Sequence, residues 1–177
     1  MKIYKPSEDS YLMQDVLISD LKNSSKNIKI LDMGTGSGIL ALTCKKLGFK
    51  SVFAADINKE AIKKLSKADI KVFESDLFKN INEKFDLIIF NPPYLPEHKY
   101  DLEKDTTGGK LGFETINNFL KQAKKHLNKN AKILLLYSSY SKPEVIKKFA
   151  KKLGYKQEIK KTLDLPFEKL FVYELSN

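Results

Sequence analysis

Asp32, Asp56 and Asp76 each stand at the end of an apolar run, in ILDMG, FAADI and FESDL, and a fourth run, FDLIIF, ends on Asn91-Pro92-Pro93-Tyr94. Gly34, Gly36 and Gly38 follow the first aspartate at alternate positions. Each residue type brings its own chemistry. Glycines adopt positive φ and let the backbone approach a ligand closely, and the first amides of a following helix offer donors. Carboxylates accept from hydroxyl and amino groups and attract cations. Two consecutive prolines fix their own φ, lack N–H donors and push the residue before each toward extended geometry. Asn91 and Tyr94 are thereby held in a set orientation, as a binding pair or as a plain strand-ending turn.

Spacing narrows the ligand. A dinucleotide fingerprint would place glycine at position 39, which is Ile39 in this chain. The run is instead D-x-G-x-G-x-G, and the charge of Asp32 at its head disfavours a pyrophosphate and suits an ammonium group. Asp56 lies 24 positions later (56 − 32), where an acid after a second strand accepts both ribose hydroxyls. Asp76 suits an adenine amino group, with Leu77 or Phe78 against the ring. Taken alone, each of these aspartates reads as a helix cap or a surface charge before it reads as a ligand contact. Three of them at successive strand ends, beside a glycine loop, describe a pocket for a cofactor with an ammonium, a ribose and an adenine but no phosphate. That cofactor is S-adenosylmethionine.

The elements that must position these residues alternate along the chain. SEDSYLMQDVLISDL reads as a helix over 7–21 with Ser7 as its cap, followed by a strand in NIKILDMG and a helix in SGILALTCKKLG closed by Gly48. SVFAADI is a strand, NKEAIKKLSKA a helix with Ala61, Ile62 and Leu65 on one face, and IKVFES and KFDLIIF are strands. A long loop over 95–112 precedes FETINNFLKQAKKHLN, a helix presenting Phe113, Ile116, Phe119, Leu120, Ala123 and Leu127. AKILLLYSS is a buried strand. Ser141 and Glu144 have capping-box spacing ahead of VIKKFAKKLG, a helix ended by Gly154. KQEIKKTLD and KLFVYEL follow with no helix between them and pair as an antiparallel hairpin. The expected architecture is α/β: a doubly wound sheet with an antiparallel final strand pair.

Composition bounds the class. A chain of 177 residues with 42% hydrophobic content has the length of one domain, 1–177, and no linker or repeat marks a second. No apolar stretch approaches a membrane span and the first ten residues are too polar for a signal peptide, so a cytoplasmic enzyme or binding protein is expected. Cys44 is the single cysteine and His98 and His126 the only histidines, which argues against a zinc cluster or other metal site and makes Cys44 a core residue. The net charge of +10 comes from 32 lysines without one arginine. Such a surface attracts acidic partners but lacks the bidentate fork that reads phosphate or guanine.

The Asp-led glycine loop, the three strand-end acids and the N-P-P-Y tetrad resemble the class I S-adenosylmethionine-dependent methyltransferases over nearly the whole chain, which implies a Rossmann-like, seven-stranded fold. The tetrad resembles that of amino-methyltransferases acting on glutamine, adenine or cytosine nitrogen. YKPSEDSYLM, with Tyr4, Pro6, Glu8 and Asp9, looks like the P-x-E-D-T opening of the short archaeal and eukaryotic branch of the HemK family, with Ser10 in place of threonine. GGKLGFE at 108–114 resembles that branch's glycine loop without its customary arginine. The resemblance implies N5-methylation of the glutamine in the Gly-Gly-Gln loop of class I peptide chain release factors. It implies Glu8, Asp9, Asp32, Gly34, Gly36, Gly38, Asp56, Ile57, Asp76, Leu77 and Asn91 at the cofactor, Asn91, Pro92 and Tyr94 at the reacting nitrogen, and a small zinc-binding activator protein as partner. The chain begins almost at the catalytic core, leaving no room for the helical recognition domain of the bacterial enzymes.

A substrate amide nitrogen has its lone pair delocalised and is a poor nucleophile. The Asn91 side-chain oxygen and the Pro92 carbonyl, accepting its N–H groups, would position it for in-line attack and favour a tetrahedral nitrogen, with Tyr94 packed on the flat group. No general base and neither histidine is assigned a role. Two other readings stay open: adenine N6-methylation of DNA or RNA, favoured by the charge and opposed by the missing arginine and target-recognition domain, and a non-enzymatic cofactor-binding subunit or RNA-binding scaffold.

Overall fold

A computed structural model describes residues 3–97 and 107–177; His98 and the rest of 98–106, the centre of the long loop, lie outside the described residues. The elements are α1 (Glu8–Leu21), β1 (Lys29–Met33), α2 (Ile39–Lys46), β2 (Ser51–Asp56), α3 (Lys59–Leu65), β3 (Lys71–Glu74), β4 (Phe85–Phe90), α4 (Glu114–Ala123), β5 (Leu127–Ser138), α5 (Pro143–Lys152), β6 (Lys156–Asp164) and β7 (Lys169–Ser176). Seven strands form one sheet in the order β3-β2-β1-β4-β5-β7-β6. The first five run parallel, and β7 inserts antiparallel between β5 and β6, so the final pair is the expected hairpin.

The central strands are apolar along their length because helices cover both faces. One face carries α4 and α5 through Ile116, Phe119, Ile146 and Ala150; the other carries α1, α2 and α3 through Leu12, Leu17, Ala41 and Leu65. Cys44 is buried in the second layer, where burial pushes its thiol up, so it is a packing residue. Strand order reverses between β1 and β4, and the carboxyl ends of both open into the same crevice.

Four local expectations are corrected. The helix over 113–128 stops at Ala123; a 3₁₀ turn over Lys124–His126 follows, and Leu127 already belongs to β5, paired with Phe85. The strand pairing outcompetes continuation of the apolar helical period. His126 closes the 3₁₀ turn with its Nδ1 3.0 Å from the Glu83 carbonyl and its ring stacked on Phe78 at 4.3 Å. Phe78 is therefore a core residue between His126 and Phe119, not an adenine platform. Ser141 and Glu144 form no capping box. Ser141 instead closes a box with Ser138 in a 3₁₀ turn over Ser139–Ser141, and Lys142 takes the α5 cap position. Ser7 does precede α1, but its hydroxyl bonds the Glu8 carboxylate rather than a helix amide.

Candidate active site

The crevice at the strand ends is a cavity of about 380 Å³, lined from β1, β2, β3 and β4 and by residues of α1 and α4. Asp32 lies at its floor, 1% exposed, and its Oδ2 accepts from the Thr35 hydroxyl (2.6 Å) and the Ala41 amide (3.1 Å). The carboxylate thus ties the glycine loop to the first turn of α2. Burial raises its pKa from 3.8 to about 7 against the pull of those two bonds, and Asp56 adds to the rise. Asp56 accepts from the Gly36 amide at 2.7 Å through one oxygen and from the Asn58 amide at 2.8 Å through the other, which holds the loop over β2. Each oxygen retains a lone pair for a ligand hydroxyl. Asp76, Ile57 and Leu77 line the outer end of the cavity, and Ile57 is 57% exposed, an apolar surface suited to one side of a flat ring.

The Asp32 shift has a sign. A carboxyl that holds its proton more tightly folded than unfolded stabilises the fold fully below about pH 4, and this contribution is lost as pH rises to about 7. Thermal melts of the ligand-free protein are expected to fall relative to those of Asp32→Asn across that window. A cationic ligand favours the ionised form, so its binding releases a proton and tightens as pH rises through about 7, a dependence Asp32→Asn should remove in calorimetric titrations.

The tetrad is held from three sides. Asn91 donates its Nδ2 to Asp9 Oδ2 at 3.0 Å, and Asp9, 4% exposed, also takes the Tyr4 hydroxyl (3.1 Å) and the Ser10 amide (2.6 Å) on Oδ1. Serine at position 10 keeps a hydroxyl contact to that oxygen at 3.2 Å. With the Asn91 nitrogen committed, its Oδ1 is buried and accepts no hydrogen bond, while the residue lines the cavity. The Tyr94 carbonyl accepts from the Ser141 hydroxyl at 2.9 Å, and burial, followed by the charge of Asp9, keeps its phenol protonated. The GGKLGFE loop seats directly on the tetrad backbone. The Gly108 amide donates to the Leu95 carbonyl at 2.8 Å, and a Cβ on Gly112 would stand 2.6 Å from the Tyr94 carbonyl oxygen. Glu114 ties the loop by accepting from the amides of Leu111 (3.0 Å) and Phe113 (3.2 Å). No arginine takes part in this packing.

Asp9, Asp32, Gly34, Gly36, Asp56, Ile57, Asp76, Leu77, Asn91, Pro92 and Tyr94 all come together on the cavity wall. Two expected cofactor residues do not. Glu8 is turned to solvent against Ser7, because the first turn of α1 can direct only one of two successive acids inward and that one is Asp9. Gly38 lies behind the loop, where a Cβ would stand 2.4 Å from Leu65 Cδ2, so it serves the packing of α2 on α3. The wall also includes Thr35, Ser75, Thr115 and Asn118, which motif reading passed over. Thr115 and Asn118 are three apart on α4, just after the glycine loop, a spacing that puts both on one helix face.

Among the described residues, four aspartates and no lysine line the cavity, in a chain with 32 lysines. Positive charge covers the outside and negative charge lines the crevice. This arrangement attracts a cation and repels phosphate.

A parallel sheet with an antiparallel last strand inserted beside β5, a glycine loop after β1 and a ligand crevice at the strand reversal define a class I methyltransferase. Residues 13–164 match the family described as methyltransferase small domain, and the chain belongs to that family. It is 40% identical over 183 aligned residues, 97% of this chain and 90% of the other, to a Methanocaldococcus jannaschii protein provisionally named as a protein N5-glutamine methyltransferase. It is 28% identical to the Homo sapiens methyltransferase HEMK2, across 86% of this chain and 79% of that one. Its structure superposes on a chain of the E. cuniculi Mtq2–Trm112 complex, responsible for methylating the eRF1 translation termination factor, with a TM-score of 0.82, 25% identity and coverage of 100% and 99%.

Proposed function

We propose that this protein, with residues 1–177 as one cytoplasmic methyltransferase domain, transfers the methyl group of S-adenosylmethionine to the side-chain nitrogen of the glutamine in the Gly-Gly-Gln motif of a class I release factor. The observation that carries the reading is Asn91, whose amide nitrogen is held by Asp9 while its oxygen is buried without a donor. A buried acceptor left unfilled costs about 1–3 kcal/mol, and a substrate N–H would fill it. The Methanocaldococcus jannaschii relative, named for N5-glutamine methylation, supports glutamine as the bearer of that N–H, and the structural neighbour, named for methylating eRF1, supports a termination factor as the protein that carries it.

The cavity residues fit the cofactor. Asp56 would accept the ribose hydroxyls, Asp76 the adenine amino group with Ile57 and Leu77 along the ring, and Gly34 and Gly36 allow close approach of the backbone. The bound cofactor supplies an electrophilic methyl on a positively charged sulfur, and the acid-lined wall suits that charge. Asn91 Oδ1 and the Pro92 carbonyl orient the glutamine nitrogen with its lone pair toward the methyl, and Tyr94 packs against the amide plane. Asp9 fixes which end of Asn91 faces the substrate. As the C–N bond forms, the methyl–sulfur bond would break, leaving a neutral thioether, and the nitrogen carries an extra proton that it loses to solvent, so no side chain acts as base. The neighbour is a complex with Trm112, which supports a partner protein here; we propose a small zinc-binding activator protein in that role.

The test is transfer from isotopically labelled cofactor to a recombinant release factor. Label should appear in the wild-type substrate and vanish when its Gly-Gly-Gln glutamine is replaced by alanine. Label that survives the replacement, or that appears only on adenine in an oligonucleotide, overturns the assignment.

A further inference from the structure

The turn between β6 and β7 stands at the same edge of the sheet as the cavity, because β7 begins beside the end of β5, with Leu170 paired to Ser138. Leu165 and Glu168 close this turn through reciprocal backbone bonds of 2.7 and 3.4 Å. It is then fastened to the segment that holds the tetrad. The Lys169 amide donates to Ser139 Oγ at 3.1 Å and the Tyr140 hydroxyl donates to the Phe167 carbonyl, while neighbouring Ser141 donates to the Tyr94 carbonyl at 2.9 Å. On this support Phe167 is 89% exposed and Tyr140 44%, two aromatic rings held in water on the segment that fastens Tyr94. Next to Phe167, Glu168 has a buried Oε1 with no hydrogen-bond partner, and its charge reaches the Tyr94 hydroxyl.

We propose that this turn and Tyr140 form the lip that receives the polypeptide carrying the target amide. Phe167 and Tyr140 pack on the residues flanking the target, and the Glu168 carboxylate accepts a main-chain N–H from the same loop. This rests on the protein-substrate reading above. Chemical complementarity selects the occupant. Two acceptors near the tetrad, Asn91 Oδ1 and Glu168 Oε1, lack donors, and a polypeptide main chain supplies N–H groups at every residue. A phosphodiester backbone supplies only anionic acceptors, which Glu168 and the cavity aspartates repel. Rigid aromatic anchors with a buried polar partner are also what protein interfaces concentrate at their centres.

The experiment measures steady-state transfer to a recombinant release factor, with cofactor affinity by calorimetry as the control for folding. In Phe167→Ala the KM for release factor should rise about tenfold with kcat and cofactor Kd unchanged. Glu168→Ala should raise KM about threefold to tenfold, and Glu168→Gln, which keeps an acceptor of the same shape, should restore most of the loss. Unchanged KM in both Phe167→Ala and Glu168→Ala, with wild type active on release factor, overturns the lip and leaves the substrate assignment standing. Wild type that transfers to RNA or DNA oligonucleotides and not to release factor overturns both.

Discussion

Asn91→Ala is expected to lower methyl transfer by about 10²–10³-fold while changing cofactor affinity by no more than about threefold, the effect of removing one preorganised transition-state contact. The split follows from the hydrogen bonds on the two ends of the amide. Its nitrogen is bound by Asp9 and its oxygen is the vacant acceptor, so alanine removes the group that selects the substrate N–H without touching Asp56 or the glycine loop. The fold tolerates the change, because the prolines and the Ser141 bond still hold the Tyr94 backbone. Asn91→Asp should fare no better, since it sets a carboxylate against Asp9 at the site of a 3.0 Å hydrogen bond. Single-turnover rates with saturating cofactor, set beside calorimetric cofactor affinities, check this. Equal loss of binding and turnover would mean that Asn91 serves the cofactor alone.

The second large effect is on stability. Gly38 has φ +84, and a methyl group there would meet Leu65 at 2.4 Å, with Leu65 itself 1% exposed and unable to swing into solvent. The left-handed backbone costs a residue with Cβ about 1–2 kcal/mol, and overpacking a full core costs about 1–3 kcal/mol. Gly38→Ala should therefore destabilise by about 3 kcal/mol, a fall in Tm of roughly 10 °C for a chain of this size. Gly48 is the control. Its φ is +88 but nothing lies within 4 Å of its Cβ position, so Gly48→Ala carries the backbone cost alone, about 1–2 kcal/mol. Melting curves of the two variants separate the steric part from the conformational part; equal shifts would remove Leu65 from the account.

Most of the sheet was legible because its signals are local. Apolar runs of strand length, bounded by glycine, asparagine or proline, correspond to β1, β2, β4 and β7, and Gly48 and Gly154 end α2 and α5 with the positive φ expected of such residues. The end of α4 was not, because the helical period of Leu127 continues that of Ala123 and only pairing with Phe85, 42 positions away (127 − 85), decides against it. The same limit applies to the site. Asp32, Asp56 and Asp76 could be read from strand ends, and the tetrad from its composition. That Asp9 faces inward while Glu8 does not, and that Gly38 serves packing, depends on what lies opposite each, which local spacing does not contain. Ser141 shows the same limit: its capping-box spacing is real, but its oxygen accepts from the Ser138 amide, its proton goes to the Tyr94 carbonyl, and Lys142 stands at the α5 cap position.

That bond and its counterpart across the tetrad also bear on when the site exists. Asn91 takes its orientation from Asp9 across 82 residues, and Tyr94 is fastened by Ser141 across 47. Contacts of such separation form after the local helices and turns, once the loops between them have been closed. The glycine loop can curl and α2 can wind early, from neighbours in sequence, whereas the acceptor for the substrate nitrogen is assembled only when α1, β4 and the end of β5 have docked together. Catalytic competence is thus a late event in folding, and an unfinished chain can carry the cofactor loop without being able to methylate.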